Sequence, residues 1–490
     1  MREPPSRRQF VEKPFDIERI LYWSWFALLC WAPIPLGSVE PWSWAVLAVG
    51  TFLILGVWCI AYLWGRVAVS ETFIGAKYFL WLLVAWLVYL ALYFIPLPLE
   101  WIALLSPSTA VIHRQTLGFD GGWRTLALEP HAAQAGWLRT LAYVCGLVVT
   151  LLVVNTRERV KQFVFLLVMF ALLMSVYGIM MHLTGTTINW FGSKMNHVTV
   201  ASATYFNRNH FAGYLEMMLA LGVGLLIADI RDQRAETWKQ FFSHLLEWVF
   251  SPKMRLRLVL CVMVIALVST RSRMGNTAFF ASLLATGIIG IVLSRHATRG
   301  TVVLLFSLIA IDIFIVGSWF GIEQLAQRME QTNLMRPVTA VAVAGMQESV
   351  EARLDATADT IRMVRDFPLW GVGLGAWSMA FSGYRSEMVI PGLFEYAHND
   401  YAQFAAESGL VGLVLIGLIV LWSFIMALLA HARRRDPLMR GMSFAAIMGI
   451  IAIMIHSSVD FNLQIPANSM YFMVILALAW IACFMDRRQK

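Results

Sequence analysis

The sequence predicts an all-α, polytopic integral membrane protein of about 12 transmembrane helices with a large periplasmic helical loop. Three observations carry that prediction. Of the 490 residues, 59% are hydrophobic. Only 14% are charged, where a soluble globule carries about 25%. Apolar runs of roughly the 20 residues that a helix needs to cross hydrocarbon recur along the whole chain.

The expected spans lie at 20–36, 43–64, 78–95, 137–154, 162–182, 211–228, 258–270, 276–293, 301–320, 409–430, 442–457 and 468–484. The segment before the first of them is basic and proline-containing. The first apolar run lacks a small-residue cleavage signal, so it reads as a retained helix behind a cytoplasmic tail. With the N-terminus inside, the cytoplasmic segments hold 25 of the 38 lysines and arginines. The outer segments are much longer and hold the remaining 13. That asymmetry is the positive-inside rule, and it puts both termini in the cytoplasm. The net charge of +8 is explained by this topology and does not point to nucleic acid. The five cysteines fall in expected spans without a CxxC pair and read as small apolar residues.

The chain thus divides into a tail (1–19), nine spans within 20–320, a large outer loop (321–408), three spans within 409–484 and a second tail (485–490). Two smaller outer loops lie at 96–136 and 183–210. Within the large loop, 321–366 is polar with helical spacing, as in Leu354, Ile361 and Val364 among Arg353, Arg362 and Arg365. It reads as one or two helices lying over the membrane face. Long loops on a rigid scaffold are where function concentrates, so the chemistry is expected outside.

Four polar clusters border the spans. The first runs from RMVRDFPLWGVGLGAWSMAFSGY into FEYAHNDYAQFAAESGLVG. Phe367-Pro368 ends a helix. Gly371, Gly373 and Gly375 follow no strand and lack GxGxxG spacing, so they read as a tight turn and not as a nucleotide loop. Asp400 and Gln403 suit a capping-box-like helix start, and Gly409 a helix end. His398 falls just before that helix. It reads as a plain interfacial histidine, a metal ligand or a general base. No His/Asp/Glu partner at ligand spacing and no HExxH motif favours the metal.

The second cluster, TYFNRNHFAGYLEMM, holds Arg208, and the third, VSTRSRMGNTAFF, holds Arg271 and Arg273. A cation beside a span is costly unless it snorkels to headgroups or meets an anion. Arginine forks grip phosphate oxygens in pairs, and two from different loops would clamp a diphosphate. The fourth cluster, IHSSVDFNLQIPANSMYF, holds His456, Asp460, Asn462 and Gln464. These form either a buried hydrogen-bond network that fixes a helix pair or a sugar site. Asp312 is the main candidate for a charge deep in a span.

The stretch RDFPLWGVGLGAW…AHNDYAQFAAESGLVG closely resembles the signature of the O-antigen ligase and O-antigen polymerase superfamily. FNRNHFAGYL, SRMG and HSSVDFNLQIPAN resemble its other landmarks. The resemblance covers roughly 160–485 and is specific over 365–412; the first 150 residues match only as generic spans. It implies a metal-independent glycosyltransferase without cofactor, whose donor is a glycan on undecaprenyl diphosphate at the periplasmic side of the bacterial inner membrane. The acceptor is lipid A–core for a ligase, or a second lipid-linked glycan for a polymerase, in O-antigen or exopolysaccharide assembly. The family's catalytic histidine matches His398. Its phosphate-binding arginines match Arg208 and Arg273, and a one-turn shift would exchange Arg273 for Arg271. Tyr396, Asn399 and Tyr401, with His456 and Asp460, are candidates for sugar contact or support. Ala402 and Phe404 depart from the leucines of many relatives, which alters packing and leaves the chemistry intact. In the implied mechanism His398 takes a proton from an acceptor hydroxyl, and single displacement inverts the anomeric carbon. A polytopic lipid or polysaccharide transporter, or a flippase, is the alternative from another class; such proteins show broken spans and mid-bilayer charge.

Overall fold

A computed structural model describes residues 16–117, 122–185, 200–229, 252–293, 350–385 and 395–485. Hydrocarbon offers the backbone no hydrogen-bond partner, so each crossing segment closes its own bonds as a helix. In chain order the helices are α1 (Ile17–Trp31), α2 (Pro41–Leu63), α3 (Glu71–Gly75), α4 (Lys77–Ala91), α5 (Leu99–Leu105), α6 (Pro107–Leu117), α7 (Pro130–Val153) and α8 (Arg157–Thr184). There follow α9 (Arg208–Ala228), α10 (Pro252–Ser269), α11 (Arg273–Leu293), α12 (Val350–Asp366), α13 (Trp377–Phe381), α14 (Asp400–Arg433), α15 (Pro437–His456) and α16 (Pro466–Phe484). A two-residue antiparallel pair, β1 (Leu97–Pro98) with β2 (Trp123–Arg124), ties down the loop before α7.

Among the described residues nine helices are long and apolar enough to cross a membrane: α2, α4, α7, α8, α9, α11, α14, α15 and α16. The chain is therefore an all-α, multi-pass membrane protein. Helices α1 and α10 coincide with the first and seventh expected spans. The expected span at 301–320, with Asp312, lies outside the described residues.

Burial separates a central from a peripheral set. The apolar windows of α9, α15 and α16 are 89%, 78% and 83% buried by protein, against 33% for α2, α4 and α11. A helix apolar on all sides belongs in the middle of a bundle. There α9 packs along α15, and the backbones of Gly224 and Gly441 meet where neither position has room for a Cβ. Small residues at such crossings let membrane helices approach closely.

Outside the bundle, α12, α13, the glycine turn and the start of α14 enclose a small core around Met363, Phe367, Val372, Trp377 and Ala406. Helix α12 is the expected surface helix; 321–349 lies outside the described residues. The turn is the expected tight one, with positive φ at Gly371, Gly373 and Gly375. It lies against a break in α14 at Gly409 (φ 64°, ψ 178°), where the Leu369 carbonyl occupies the space of a Cβ. Val372 and Gly373 donate to the carbonyls of Ala406 and Glu407 at 2.9 Å each, and Leu410 donates to that of Pro368 at 2.8 Å. The break satisfies its orphan carbonyls through this turn, and the helix resumes at once as the span.

The expected cap is displaced by one residue. Asn399, not Asp400, caps α14, its Oδ1 accepting from the Ala402 N–H at 3.1 Å. Gln403 does reach back, accepting from the Ala397 N–H at 2.7 Å. Asp400 is diverted because its carboxylate accepts from the Ser457 hydroxyl at 2.7 Å and the Leu463 N–H at 3.0 Å. Those bonds dock the start of α14 onto the α15–α16 connection.

Candidate active site

That connection, residues 457–465, carries the hub of the site. Asp460 is 1% exposed. Its Oδ2 accepts from the Asn209 amide at 2.6 Å and lies 3.6 Å from the Arg353 guanidinium. Its Oδ1 accepts from the Phe461 N–H at 2.9 Å and lies 3.8 Å from His210 Nε2 and 4.0 Å from His398 Nδ1. Burial pushes this carboxyl up, but its electrostatic interactions with His210, Arg353, His456 and His398 outweigh burial and hold it below the ordinary carboxylate value. An ionised carboxylate so enclosed keeps donors aimed at it.

His398 is 4% exposed and adopts the left-handed region at φ 52°. That backbone costs a residue with a Cβ about 1 kcal/mol or more. The bonds on either side of it, Ala397 to Gln403 and Asp400 to Ser457, hold the conformation. Phe461 is wedged among three rings: it stacks on Tyr396 at 4.5 Å and meets His398 and His210 edge-on at 4.8 and 4.6 Å. Asn399 is the helix cap and also donates to the Ser458 carbonyl at 2.8 Å. Tyr401 donates to the Met454 carbonyl at 2.8 Å, tying α14 to α15.

The arginines arrive on two helix N-termini and one surface helix. Arg208 is the first residue of α9, capped by Asn207, and Arg273 is the first residue of α11. Arg271 lies in the break between α10 and α11 at φ 52°. Foremost among the charges acting on Arg208 are Arg353, Arg271, Arg273 and Asp460. Arg353 thus meets the Asp460 carboxylate while Arg208 lies in the combined field of Arg353, Arg271 and Arg273, with two helix N-termini adding their own positive ends. A concentration of this kind attracts an anion carrying more than one charge.

Next to it lies a fully buried layer. His456 and Glu216 are fully buried and 2.7 Å apart. Tyr205 donates to the Asn468 side chain at 3.0 Å. Asn468 in turn donates to Asn462 at 3.0 Å and to the His210 carbonyl at 2.9 Å. These bonds join residues of the fourth cluster to α9 and α16 in a buried network. The carboxylate found deep in a described span is Glu216.

Sequence reasoning missed Asn209, His210, Arg353 and Glu216 as members of this assembly. Asn209 and His210 adjoin Arg208, and adjacency was their one signal. Arg353 has the pattern of any arginine on an amphipathic surface helix, and nothing local sets it apart. Among the described residues no group of three or more His, Cys, Asp or Glu side chains is placed to hold a metal ion.

No curated protein matches the chain. Residues 258–417 match the O-antigen ligase family, whose members are glycosyltransferase-like membrane enzymes of O-antigen and surface polysaccharide assembly. The matched segment carries Arg271, Arg273 and His398.

Proposed function

We propose that the protein transfers a glycan from undecaprenyl diphosphate to an acceptor sugar hydroxyl, at the periplasmic face of the bacterial inner membrane, as a ligase or a repeat-unit polymerase. One observation supports this reading above the rest. His398 and Arg353, both from the large outer loop, converge on Asp460, and Arg208 stands in the combined field of Arg353, Arg271, Arg273 and Asp460.

In this reading His398 turns Nδ1 to Asp460 and takes the proton of the acceptor hydroxyl on Nε2. The freed oxygen attacks the anomeric carbon as the bond from that carbon to the phosphate oxygen breaks. The electron pair leaves with the diphosphate, where Arg208 and Arg273 stabilise the growing negative charge. The proton on His398 then passes to solvent. One displacement inverts the anomeric centre. The arginines supply the charge stabilisation that a divalent metal supplies in many nucleotide-sugar transferases, so the reaction is metal-independent.

The test is reconstitution of the purified protein in nanodiscs with an undecaprenyl-diphosphate-linked glycan. Release of undecaprenyl diphosphate, dependent on added acceptor and insensitive to EDTA, is the expected result. Movement of the glycolipid across vesicles without release would instead make the protein a transporter. Supplying lipid A–core in one arm and a second lipid-linked repeat in another separates ligase from polymerase.

A further inference from the structure

A cavity of about 1090 Å³ lies between α4, α7, α14, α15 and α16, and neither His398 nor any of the four arginines lines it. Its long wall is apolar. On α14 it runs from Leu413 to Phe424, roughly 16 Å at a rise of 1.5 Å per residue. The cavity opens sideways, since its lining residues Tyr401 and Leu421 are 41% and 52% exposed on α14. An apolar shaft open toward the bilayer takes its occupant from the bilayer.

The outer end of the shaft is polar and has a different character from the arginine cluster. Arg139 stands there with the carboxyl groups of Glu395, Asp400 and Glu407 and the hydroxyl of Tyr396. One cation among three carboxyls does not suit a diphosphate. It does suit a hydroxyl-rich headgroup, which donates to carboxylates, accepts from a guanidinium and lies against aromatic faces. Tyr396 is also the partition between the cavity and the hub. It lines the cavity and stacks on Phe461, whose far contacts include the edge of His398.

We propose that this cavity seats the acyl chain of a glycolipid acceptor, with the acceptor's sugar held at the Arg139, Glu395 and Tyr396 end, next to His398 but separate from the diphosphate-binding arginines. The proposal rests on the transferase reading for the word acceptor; the binding site itself does not.

Gly417 provides the probe. It lines the cavity, and a Cβ placed on it meets nothing within 4 Å, so Gly417→Trp adds bulk at the shaft from a position with open space. Gly56, on the lipid-facing side of α2, also has open space around it, and Gly56→Trp is the matched control. The full-length protein in phosphatidylcholine nanodiscs is photolabelled with a hexadecyl glucoside bearing a mid-chain diazirine. The expected result is saturable labelling of α14 and α16, competed by plain hexadecyl glucoside and not by undecaprenyl diphosphate. Labelling should fall about tenfold or more in Gly417→Trp and stay unchanged in Gly56→Trp. Unchanged labelling in Gly417→Trp overturns the proposal. So does competition by undecaprenyl diphosphate, which would make the shaft a site for a diphosphate-linked lipid, or equal labelling by a diazirine phosphatidylglycerol, which would make it a phospholipid niche. Specific labelling by a protein that never releases undecaprenyl diphosphate would retire the transferase reading and leave the site standing.

Discussion

The Nδ1 atom of His398 lies 4.0 Å from Oδ1 of Asp460, and both side chains are buried. That is ion-pair range and too long for a hydrogen bond. The contact is therefore weak while the imidazole is neutral and becomes attractive once the ring carries a proton. An arrangement of this kind sets which ring nitrogen faces the carboxylate. Asp460→Asn keeps the shape and removes the charge. It should lower kcat by about a hundredfold to ten-thousandfold with little change in the KM for donor. Steady-state kinetics with a fluorescent lipid-linked donor decides this, and an unchanged kcat would remove Asp460 from the mechanism.

His398→Ala should lower transfer by at least about a hundredfold, the usual scale for loss of a general base. Donor binding should persist, because the arginines are untouched. The same substitution leaves the left-handed backbone at position 398 in place, so the thermal midpoint should hardly move. Binding of undecaprenyl diphosphate, measured beside turnover, separates a lost base from a lost fold.

Arg353 is the member of the cluster that the structure alone identified, 3.6 Å from Asp460 and among the foremost charges acting on Arg208. Arg353→Ala should weaken binding of farnesyl diphosphate about tenfold, while farnesyl monophosphate changes less. Arg353→Lys should recover only part of that loss, since an ammonium cannot form the two-pronged contact. Equal losses for the two ligands would indicate a merely structural role. The difference between them should shrink at high salt.

The sign of the pH dependence follows from Asp460. Its carboxyl is held below its ordinary value in the folded protein, so the folded state binds the proton less readily than the unfolded chain. The resulting stabilisation is fully present above the unfolded value of about 3.9 and is lost as pH falls through the lower, folded value. Thermal midpoints of the wild type and Asp460→Asn should differ by a constant amount at neutral pH. The gap should close only below about pH 4. A gap that closes near pH 6 would instead assign the effect to the histidines.

Gly441→Val tests the bundle. A Cβ at this position meets the Gly224 carbonyl, a backbone atom that cannot swing aside. Overpacking of this kind costs about 1–3 kcal/mol, so the thermal midpoint in detergent should drop clearly. Gly417→Leu, in open space, should leave it unchanged or raise it.

The spans were legible in the sequence because hydrocarbon imposes a single rule on every crossing segment: a long apolar run whose backbone bonds close locally. The glycine turn at 371–375 and the break at Gly409 were legible for a related reason, since left-handed backbone admits few residue types. Arg208, Arg271, Arg273 and His398 announced themselves as polar groups where polarity is expensive. The choice of Asp460 as the hub was not legible. It depends on the starts of α9 and α14, the surface helix α12 and the 457–465 connection meeting at one point, and no periodicity encodes such a meeting. The same holds for the cap, which passed from Asp400 to Asn399 because a distant loop claimed the carboxylate. Composition fixes what each segment can be in a bilayer, whereas the pairing of buried charges is decided by packing between segments, where a few ångströms separate a costly lone ion from a satisfied one.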